Sequence, residues 1–332
     1  MGSYPSPPPE EQTYKLADIP GKGKGLLATT ILNPGTLLIS EPPLFTTSSL
    51  TNPSTIEKDL SKIIRSLPKT AQRAFLSLHN NNPGPQPFTN IIRSNGYPLG
   101  PSNSSIGGIF PTVSRINHSC LPNAQHAYNP KIGRMQVHVL RPVASGDEIT
   151  LSYTTGGPSD VRQKMLKSHF NFSCTCELCS LPPQKLAESD TRLRRAQELD
   201  DRIGDPKRAR LNPLASLRDC HALAQIYQDE QIRDLRLPRL WHDAFQICAM
   251  HSDLPRARAF ARRSCEARVL CEGEGHPNVE GERGLVERPE GWGGYGVTGL
   301  WGGREGEMVL GDGEEGEEEE EDFERWLWRV DG

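Results

Sequence analysis

The chain lacks any run of about 18 apolar residues, the length that a membrane-spanning helix needs, so no membrane-spanning segment is expected. Residues 1–10 are rich in proline and serine, with neither a basic start nor an apolar stretch behind them, which does not fit a secretory signal. No cysteine precedes Cys120, and three of the eight cysteines fall within Cys174–Cys179. Because a disulfide framework would spread its cysteines more evenly, this clustering predicts an intracellular protein with a metal site.

A modest net charge of −4 hides an asymmetry between the end of the chain and the rest. Residues 272–332 hold 19 of the 42 acidic and 5 of the 38 basic residues, a net of −14, which leaves +10 on residues 1–271. A basic body suits contact with nucleic acid or nucleosomes, but solvated lysines explain it at least as well. Direct nucleic-acid binding therefore stays open.

The last sixty or so residues differ from the rest in composition as well as in charge. Residues 272–332 hold 16 of the 31 glycines and four of the five tryptophans, with an acidic run at Glu317–Asp322. Such a segment is not expected to bury a core, so we predict a disordered tail.

Hydrophobic periodicity predicts an α+β protein. Short apolar runs with turns indicate strands within residues 11–45, and period-two alternation indicates strands again over 135–153. Helical spacing predicts helices over 54–79 and over about 184–271, where Asp253 is typical of a helix start. The stretch of about thirty residues after the first helical segment is rich in Asn, Pro, Gly and Ser, and is predicted to be a loop.

Three motifs carry the most information about function. They are Arg-Ile-Asn-His-Ser-Cys-Leu-Pro-Asn at 115–123, Gly-Asp-Glu-Ile-Thr-Leu-Ser-Tyr at 146–153 and Phe-Ser-Cys-Thr-Cys-Glu-Leu-Cys at 172–179. In this order and at these distances they resemble the signature motifs of SET-domain protein lysine methyltransferases, most closely fungal members related to the SET-and-MYND type. The resemblance covers roughly residues 13–180 and implies transfer of a methyl group from S-adenosylmethionine to a lysine amine.

The resemblance also implies a domain layout. It predicts a β-rich SET fold with knot-like threading and a zinc-bound post-SET loop, followed by a tetratricopeptide-like helical region. Since no cysteine precedes Cys120, no MYND zinc finger is expected. The predicted boundaries are a disordered N-terminus (1–12), a SET domain (13–155) with a helical insert at about 46–100, a post-SET zinc loop (156–182), an α-helical domain (184–271) and a disordered tail rich in glycine and glutamate (272–332).

A zinc site is predicted from the trailing cysteines. Cys174, Cys176 and Cys179 offer three thiolates in one short loop, and structural zinc takes four ligands. The resemblance implies Cys120 as the fourth. The alternative is a loop of unliganded thiols, which would be prone to oxidation.

Cofactor contacts are also implied by the resemblance. The turn at residues 21–26 lacks the Lys-Ser/Thr ending of a phosphate-binding loop and better matches the glycine-rich turn that opens SET domains, with both of its lysines near the methionine carboxylate. An exposed basic hairpin is the alternative. The residues expected to contact S-adenosylmethionine are Lys22, Lys24, Gly25, Asn95, Ser114, Asn117, His118, Tyr153 and Phe172.

Tyr153 is the predicted catalytic residue and, with Phe170, the predicted wall of the channel for the substrate lysine. The lysine must arrive neutral against a free pKa of about 10.4, which an apolar channel favours. A packed aromatic at the end of a strand is the other interpretation of Tyr153. Phe170 stands where many relatives carry tyrosine, so the number of methyl groups added, or the rate, is expected to differ.

The sequence thus predicts a monomeric protein-lysine N-methyltransferase of the nucleus and/or cytoplasm, with a histone tail or nucleosome as its substrate. A non-histone protein substrate is one alternative. The other is a catalytically weak SET protein that serves as an interaction platform. A zinc-dependent hydrolase is disfavoured because histidine and carboxylate ligands at catalytic spacing are missing.

Overall fold

The computed structural model describes residues 13–50, 52, 54–100, 106–302 and 317–330. The described strands all lie in the first half, where three helices form an insert among them, and the second half is helical. This confirms the mixed α+β prediction. The strands are β1 (Tyr14–Ile19), β2 (Gly23–Ala28), β3 (Leu37–Glu41), β4 (Gly96–Pro98), β5 (Gly107–Ile109), β6 (Asn117–His118), β7 (Ala124–Asn129), β8 (Arg134–Val139) and β9 (Glu148–Leu151). The α-helices are α1 (Ile56–Ser66), α2 (Lys69–Leu76), α3 (Pro87–Asn95), α4 (Ser159–Phe170), α5 (Pro183–Ile203), α6 (Pro206–Leu211), α7 (Pro213–Asp229), α8 (Arg236–Met250), α9 (Leu254–Glu272), α10 (Pro277–Glu287) and α11 (Glu317–Leu327).

Two sheets form the core of the first half. One has the strand order β1-β2-β9-β6 and the other β3-β8-β7, while β4 and β5 pair separately. Alternate residues of β8, namely Met135, Val137 and Val139, are buried. They join Ile149 and Leu151 of β9 in one apolar cluster, as period-two alternation predicts.

A short parallel pairing brings the first two motifs together. Strand β6 lies parallel to β9, with Asn117 opposite Thr150 and His118 opposite Leu151. The Asn123 side chain stabilises this pairing of β6 with β9. Its Oδ1 accepts from the Thr150 amide at 2.8 Å, and its Nδ2 donates to the Glu148 carbonyl at 2.9 Å. Residues about 30 apart in sequence thereby become neighbours at the site.

The insert contains more structure than its sequence indicates. Helices α1 and α2 confirm the predicted helical segment, and Leu60 and Phe75 are buried. The loop predicted after residue 79 is wrong, because α3 and the β4–β5 pair lie there. A distant contact explains the error: the Glu57 carboxylate accepts from the amides of Phe88 and Thr89 at 2.9 and 3.0 Å, so α1 caps α3.

In the second half, α5 packs on α7, α7 on α8 and α8 on α9. Asp253 accepts from the Arg256 amide at the start of α9, so the predicted helix start is confirmed. Their buried apolar residues form one continuous cluster that includes Phe245 and Phe260. A tetratricopeptide repeat in these helices stays a prediction.

The prediction of a disordered tail is wrong for residues 272–302 and 317–330, which include α10 and α11. Trp328 is 1% exposed and packs on Phe260 and Trp241, with ring centroids 4.9 and 5.8 Å away. Arg329 pairs with the buried Asp253 carboxylate at 2.6 Å. Composition gives the wrong prediction here, because a few aromatic residues are enough to anchor a segment to a helical surface that is already folded.

The predicted disorder of residues 1–12, and that of 303–316 and 331–332, lies outside the described residues. Among the described residues, no helix combines the length and apolar composition needed to cross a bilayer.

Candidate active site

A cavity of about 860 Å³ opens in the first half, where the predicted site residues converge. Its walls come from the turn at 21–24, from the segment 77–81 after α2, from the motif segment 114–118 and from 170–176. Among the nine predicted cofactor contacts, all but Gly25 line it. Phe170 also lines it. The described lining holds three strongly basic side chains, of Lys22, Lys24 and Arg115, and no carboxylate.

Gly25 acts through its lack of a side chain. A Cβ at this position would lie 2.7 Å from Nδ2 of Asn117 and 2.5 Å from a carbon of Ile19, so only glycine allows this approach. The Asn117 amide uses the space to donate to the Lys24 carbonyl at 3.2 Å and to Oε1 of Glu148 at 2.8 Å. The other oxygen of Glu148 pairs with Lys22 Nζ at 2.6 Å, so the turn, β6 and β9 are fastened at one point.

His118 connects the cavity to the cysteine cluster. Its Nδ1 accepts a hydrogen bond from the Tyr153 backbone amide at 2.9 Å, which leaves the proton of the neutral ring on Nε2. Nε2 lies 3.3 Å from Sγ of Cys120. Burial lowers the pKa of His118 to about 4, so the ring is neutral at pH 7.

Tyr153 lies two residues after the end of β9, and its ring packs against two aromatic neighbours. The ring lies 4.9 Å from that of Phe170 and 5.3 Å from that of His118. The Tyr153 hydroxyl donates to the Ile116 carbonyl at 2.6 Å. Burial raises the pKa of Tyr153, with a smaller contribution from Glu148, so the hydroxyl stays protonated.

Phe170 and Phe172 reach the cavity because of how α4 ends. Asn171 caps the helix in the left-handed conformation, with φ of 59°, a backbone geometry that asparagine tolerates better than most residues. The chain turns sharply there, and Phe170 and Phe172 both face the cavity. The ring of Phe172 lies 6.1 Å from that of His118.

The cysteine cluster forms as predicted. The Sγ atoms of Cys120, Cys174, Cys176 and Cys179 all lie within 4.8 Å of one another. Cys120 Sγ is 3.9 Å from that of Cys174 and 3.6 Å from that of Cys179. A tetrahedral zinc with Zn–S bonds of about 2.3 Å places its sulfurs about 3.8 Å apart, so the arrangement fits a four-thiolate metal ion.

Hydrogen bonds within the cluster shift the pKa values of its four thiols in two directions. They lower the pKa of Cys179 to about 7 and lower that of Cys176, and they raise the pKa values of Cys120 and Cys174. Arg162 is 1% exposed and donates to Cys179 Sγ at 3.8 Å. A buried guanidinium beside these sulfurs offsets part of their negative charge.

Asn95 and Ser114 both line the cavity, and one hydrogen bond joins them. The Asn95 amide donates to the carbonyls of His79 and Ile91, each at 2.7 Å, and Ser114 Oγ donates to the Asn95 carbonyl at 3.1 Å. This contact joins the insert to the motif segment. Sequence reasoning missed the wall at 77–81 and also Arg115, although Arg115 belongs to the most informative motif.

Comparison with known proteins identifies the family. The family described as SET domain matches residues 23–154. "Histone-lysine N-methyltransferase set5" of Schizosaccharomyces pombe is 32% identical over 269 residues, covering 80% of this chain and 81% of that protein. "Histone-lysine N-methyltransferase SMYD1" of Homo sapiens is 27% identical over 175 residues. "Histone-lysine N-methyltransferase ASHR1" of Arabidopsis thaliana is 42% identical over 74 residues.

The extent of these matches differs. The chain spans 32% of the human relative and 15% of the Arabidopsis relative, so these two matches are local, whereas the fission-yeast match covers most of both chains. The motifs, the sheet pairing that joins them and the fission-yeast match agree, and this chain belongs to the SET-domain protein lysine methyltransferases.

Proposed function

We propose that this methyltransferase acts on a histone lysine, with S-adenosylmethionine held in the 860 Å³ cavity. The proposal rests on the convergence of the predicted contacts, which lie as far apart in sequence as Lys22 and Phe172 and yet line one cavity. The rings of Tyr153 and Phe170 lie side by side at its wall. The relatives are named histone-lysine N-methyltransferases, which supports a histone as the substrate. We also propose the nucleus as the place of action, because nucleosomal histones are found there.

S-adenosylmethionine supplies an electrophilic methyl group on a sulfonium, so the protein's task is to align and desolvate the two reactants. The proposed contacts are Lys22, Lys24, Gly25, Asn95, Ser114, Asn117, His118, Tyr153 and Phe172. The side-chain amide of Asn117 donates to both the Lys24 carbonyl and the Glu148 carboxylate, which fixes its position before any ligand binds.

Tyr153 is proposed to orient the lysine amine. Its single hydroxyl proton is donated to the Ile116 carbonyl, so the oxygen meets an amine as an acceptor. By accepting one N–H of a neutral amine, the oxygen directs the nitrogen lone pair away from itself. The rings of Tyr153 and Phe170 exclude water, and an apolar wall lowers the pKa of a lysine that enters.

The four-thiolate cluster is proposed to hold one structural zinc. Cys174 and Cys176 line the cavity, so a metal ion that joins them to Cys120 fixes the wall that carries Phe170 and Phe172. All four positions are filled by sulfur, which leaves no open position for a substrate. The metal's role is therefore structural.

The proposal also includes four more detailed predictions made from the sequence. These are knot-like threading of the motif segments, a tetratricopeptide-like second half, a monomeric state and contact with histone tails or nucleosomes. A non-histone substrate remains the main alternative. Phe170 is the observation that favours a catalytically weak interaction platform, because the channel wall lacks one hydroxyl there.

The test is methyl transfer from labelled S-adenosylmethionine to core histones, nucleosomes and cell lysate, with wild type and Tyr153→Phe side by side. We expect histone labelling by wild type and a loss of about 10²-fold in turnover for Tyr153→Phe, the scale of one lost positioning contact. Affinity for the donor should stay near the wild-type value.

Each result has a distinct meaning. Labelling of a lysate protein but not of histones would support the non-histone substrate. No labelling by wild type would support the platform, and equal rates for the two proteins would contradict the role of Tyr153.

A further inference from the structure

The helical insert carries an excess of exposed positive charge. Its residues 54–95 hold six basic and two acidic side chains, a net charge of +4. Both carboxylates are engaged within the insert, because Glu57 accepts from the amides that begin α3, and Asp59 pairs with Lys62 at 3.1 Å. Among the described residues, no carboxylate forms a salt bridge with the other five basic side chains, which are Lys58, Arg65, Lys69, Arg73 and Arg93.

Three of these cations, those of Arg65, Lys69 and Arg73, form one exposed surface, which we call the basic face. Lys69 and Arg73 lie four residues apart on α2, so they share a side of this helix, about 6 Å apart along its axis. Gln72 joins this side to the end of α1, since its side chain donates to the Arg65 carbonyl at 3.2 Å and accepts from Lys69 Nζ at 3.4 Å. Phe75 occupies the buried side of α2, so the cations face solvent.

The basic face adjoins the cavity. Ser77 lies one helical turn beyond Arg73 and lines the cavity wall. Its hydroxyl also accepts from the Arg115 guanidinium at 2.6 Å, which joins the end of α2 to the motif segment. A partner bound to the basic face is therefore held beside the proposed site of methyl transfer.

The chemistry of the basic face favours the backbone of a nucleic-acid duplex over other anionic partners. Single-stranded nucleic acids stack their bases on exposed aromatic rings, and protein partners need aromatic or apolar anchors. The two aromatic side chains of the insert, of Phe75 and Phe88, pack into its core instead, and Leu76 is the single exposed large apolar residue of α2. Cations displayed on helices without aromatic neighbours suit phosphate contacts, which supply most of the affinity of non-specific duplex binding.

We propose that the basic face binds the phosphate backbone of duplex DNA, without regard to base sequence. The choice of DNA rests on the proposed function, because a histone lysine in a nucleosome lies close to DNA. Phosphate contacts fix the position of a protein on a duplex and carry no sequence information. The insert thus holds the cavity against nucleosomal DNA, a task separate from the chemistry of the motifs.

The experiment measures binding of a fluorescent duplex of about 20 base pairs by anisotropy, starting at about 50 mM salt, where phosphate contacts are strong. We expect the triple variant Arg65→Gln/Lys69→Gln/Arg73→Gln to weaken binding by about 10- to 100-fold. The slope of log Kd against log salt should fall by about two to three, since each phosphate contact contributes about 0.9. A second duplex of unrelated sequence should bind with the same affinity.

A matched control removes the same charge elsewhere. Lys185→Gln/Lys207→Gln/Arg210→Gln changes three exposed cations of the second half and should alter DNA affinity by less than about twofold. Both triple variants should bind S-adenosylhomocysteine, the product that methyl transfer leaves behind, as tightly as wild type does. That result shows that the cavity beside the basic face is still folded.

Three outcomes would overturn the inference. Equal losses in the two triple variants would mean that the attraction is spread over the whole basic body. Tighter binding of single-stranded DNA of the same length would exclude a duplex surface. Competition by polyglutamate as strong as that by unlabelled duplex of equal charge would mean that the basic face takes acidic proteins.

Methyl transfer to free core histones tests the proposed function separately, because it needs no DNA. If wild type labels histones but does not bind the duplex, the inference alone fails. If wild type binds the duplex through the basic face and labels no protein, the proposed function fails and the DNA-binding surface stands.

Discussion

The interior of the first half of the molecule is organised differently from the interior of the second half. In the first half, the apolar residues form separate clusters under the sheets, under the insert and around the cysteines. Hydrogen bonds of polar side chains, including those of Asn117, Asn123 and His118, link the motif segments to one another. In the second half one continuous apolar cluster runs through α5 to α9 and takes in Trp328.

These two kinds of interior place different requirements on the amino-acid sequence. Hydrogen-bonded bridges need particular atoms at particular positions, so the first half is recognisable from short motifs. An apolar core needs volume and patterning more than identity, so many sequences build the same helices. The half that carries the chemistry is therefore the half that the sequence identifies.

The comparison can be tested because all five tryptophans lie at or after Trp241. Tryptophan fluorescence thus reports on the second half alone. Zinc content and S-adenosylhomocysteine affinity report on the first.

The largest effect is expected from Cys176→Ser. Removing one of four thiolates should lower zinc from about one per chain to a small fraction, since structural zinc binding contributes on the order of 10 kcal/mol in small zinc domains. Elemental analysis measures this, with Cys265→Ser, a thiol of α9 outside the cluster, as the matched control. The tryptophan unfolding transition should stay near wild type. Full zinc content in Cys176→Ser would rule out the proposed ligand set.

A smaller effect in the opposite half is expected from Trp328→Ala. Emptying the space of a side chain that is 1% exposed should lower the unfolding free energy by about 3–5 kcal/mol. Urea unfolding followed by fluorescence measures it, and Val330→Ala, which truncates a half-exposed neighbour, is the control. S-adenosylhomocysteine affinity should not change. If affinity falls together with stability, the halves are coupled and the contrast drawn between them fails.

The smallest effect is expected from Phe170→Tyr. The added hydroxyl lies beside Tyr153, where a hydrogen bond of about 1 kcal/mol would hinder rotation of a methylated amine. Wild type should add more than one methyl group, and the variant should shift the product ratio toward monomethyl-lysine by about fivefold. Mass spectrometry of reacted peptide measures the ratio. An unchanged ratio would mean that Phe170 does not limit the channel.

The amino-acid sequence by itself determined the family, the four clustered thiols and about half of the cavity lining. It could do so because three motifs at fixed distances specify chemistry through residue identity. The helices over 54–79 and the start of α9 at Asp253 were equally readable, since periodicity and capping are local properties.

Only the tertiary structure decided the remaining features. Helix α3 depends on the Glu57 carboxylate, 31 residues before Phe88, and the ordered end of the chain depends on an aromatic surface built by α8 and α9. Lys22 pairs with Glu148, a residue 126 positions away in sequence, and such pairing is invisible until distant segments meet. In each case the deciding partner lies far away in sequence, so no local pattern of residues could have indicated it.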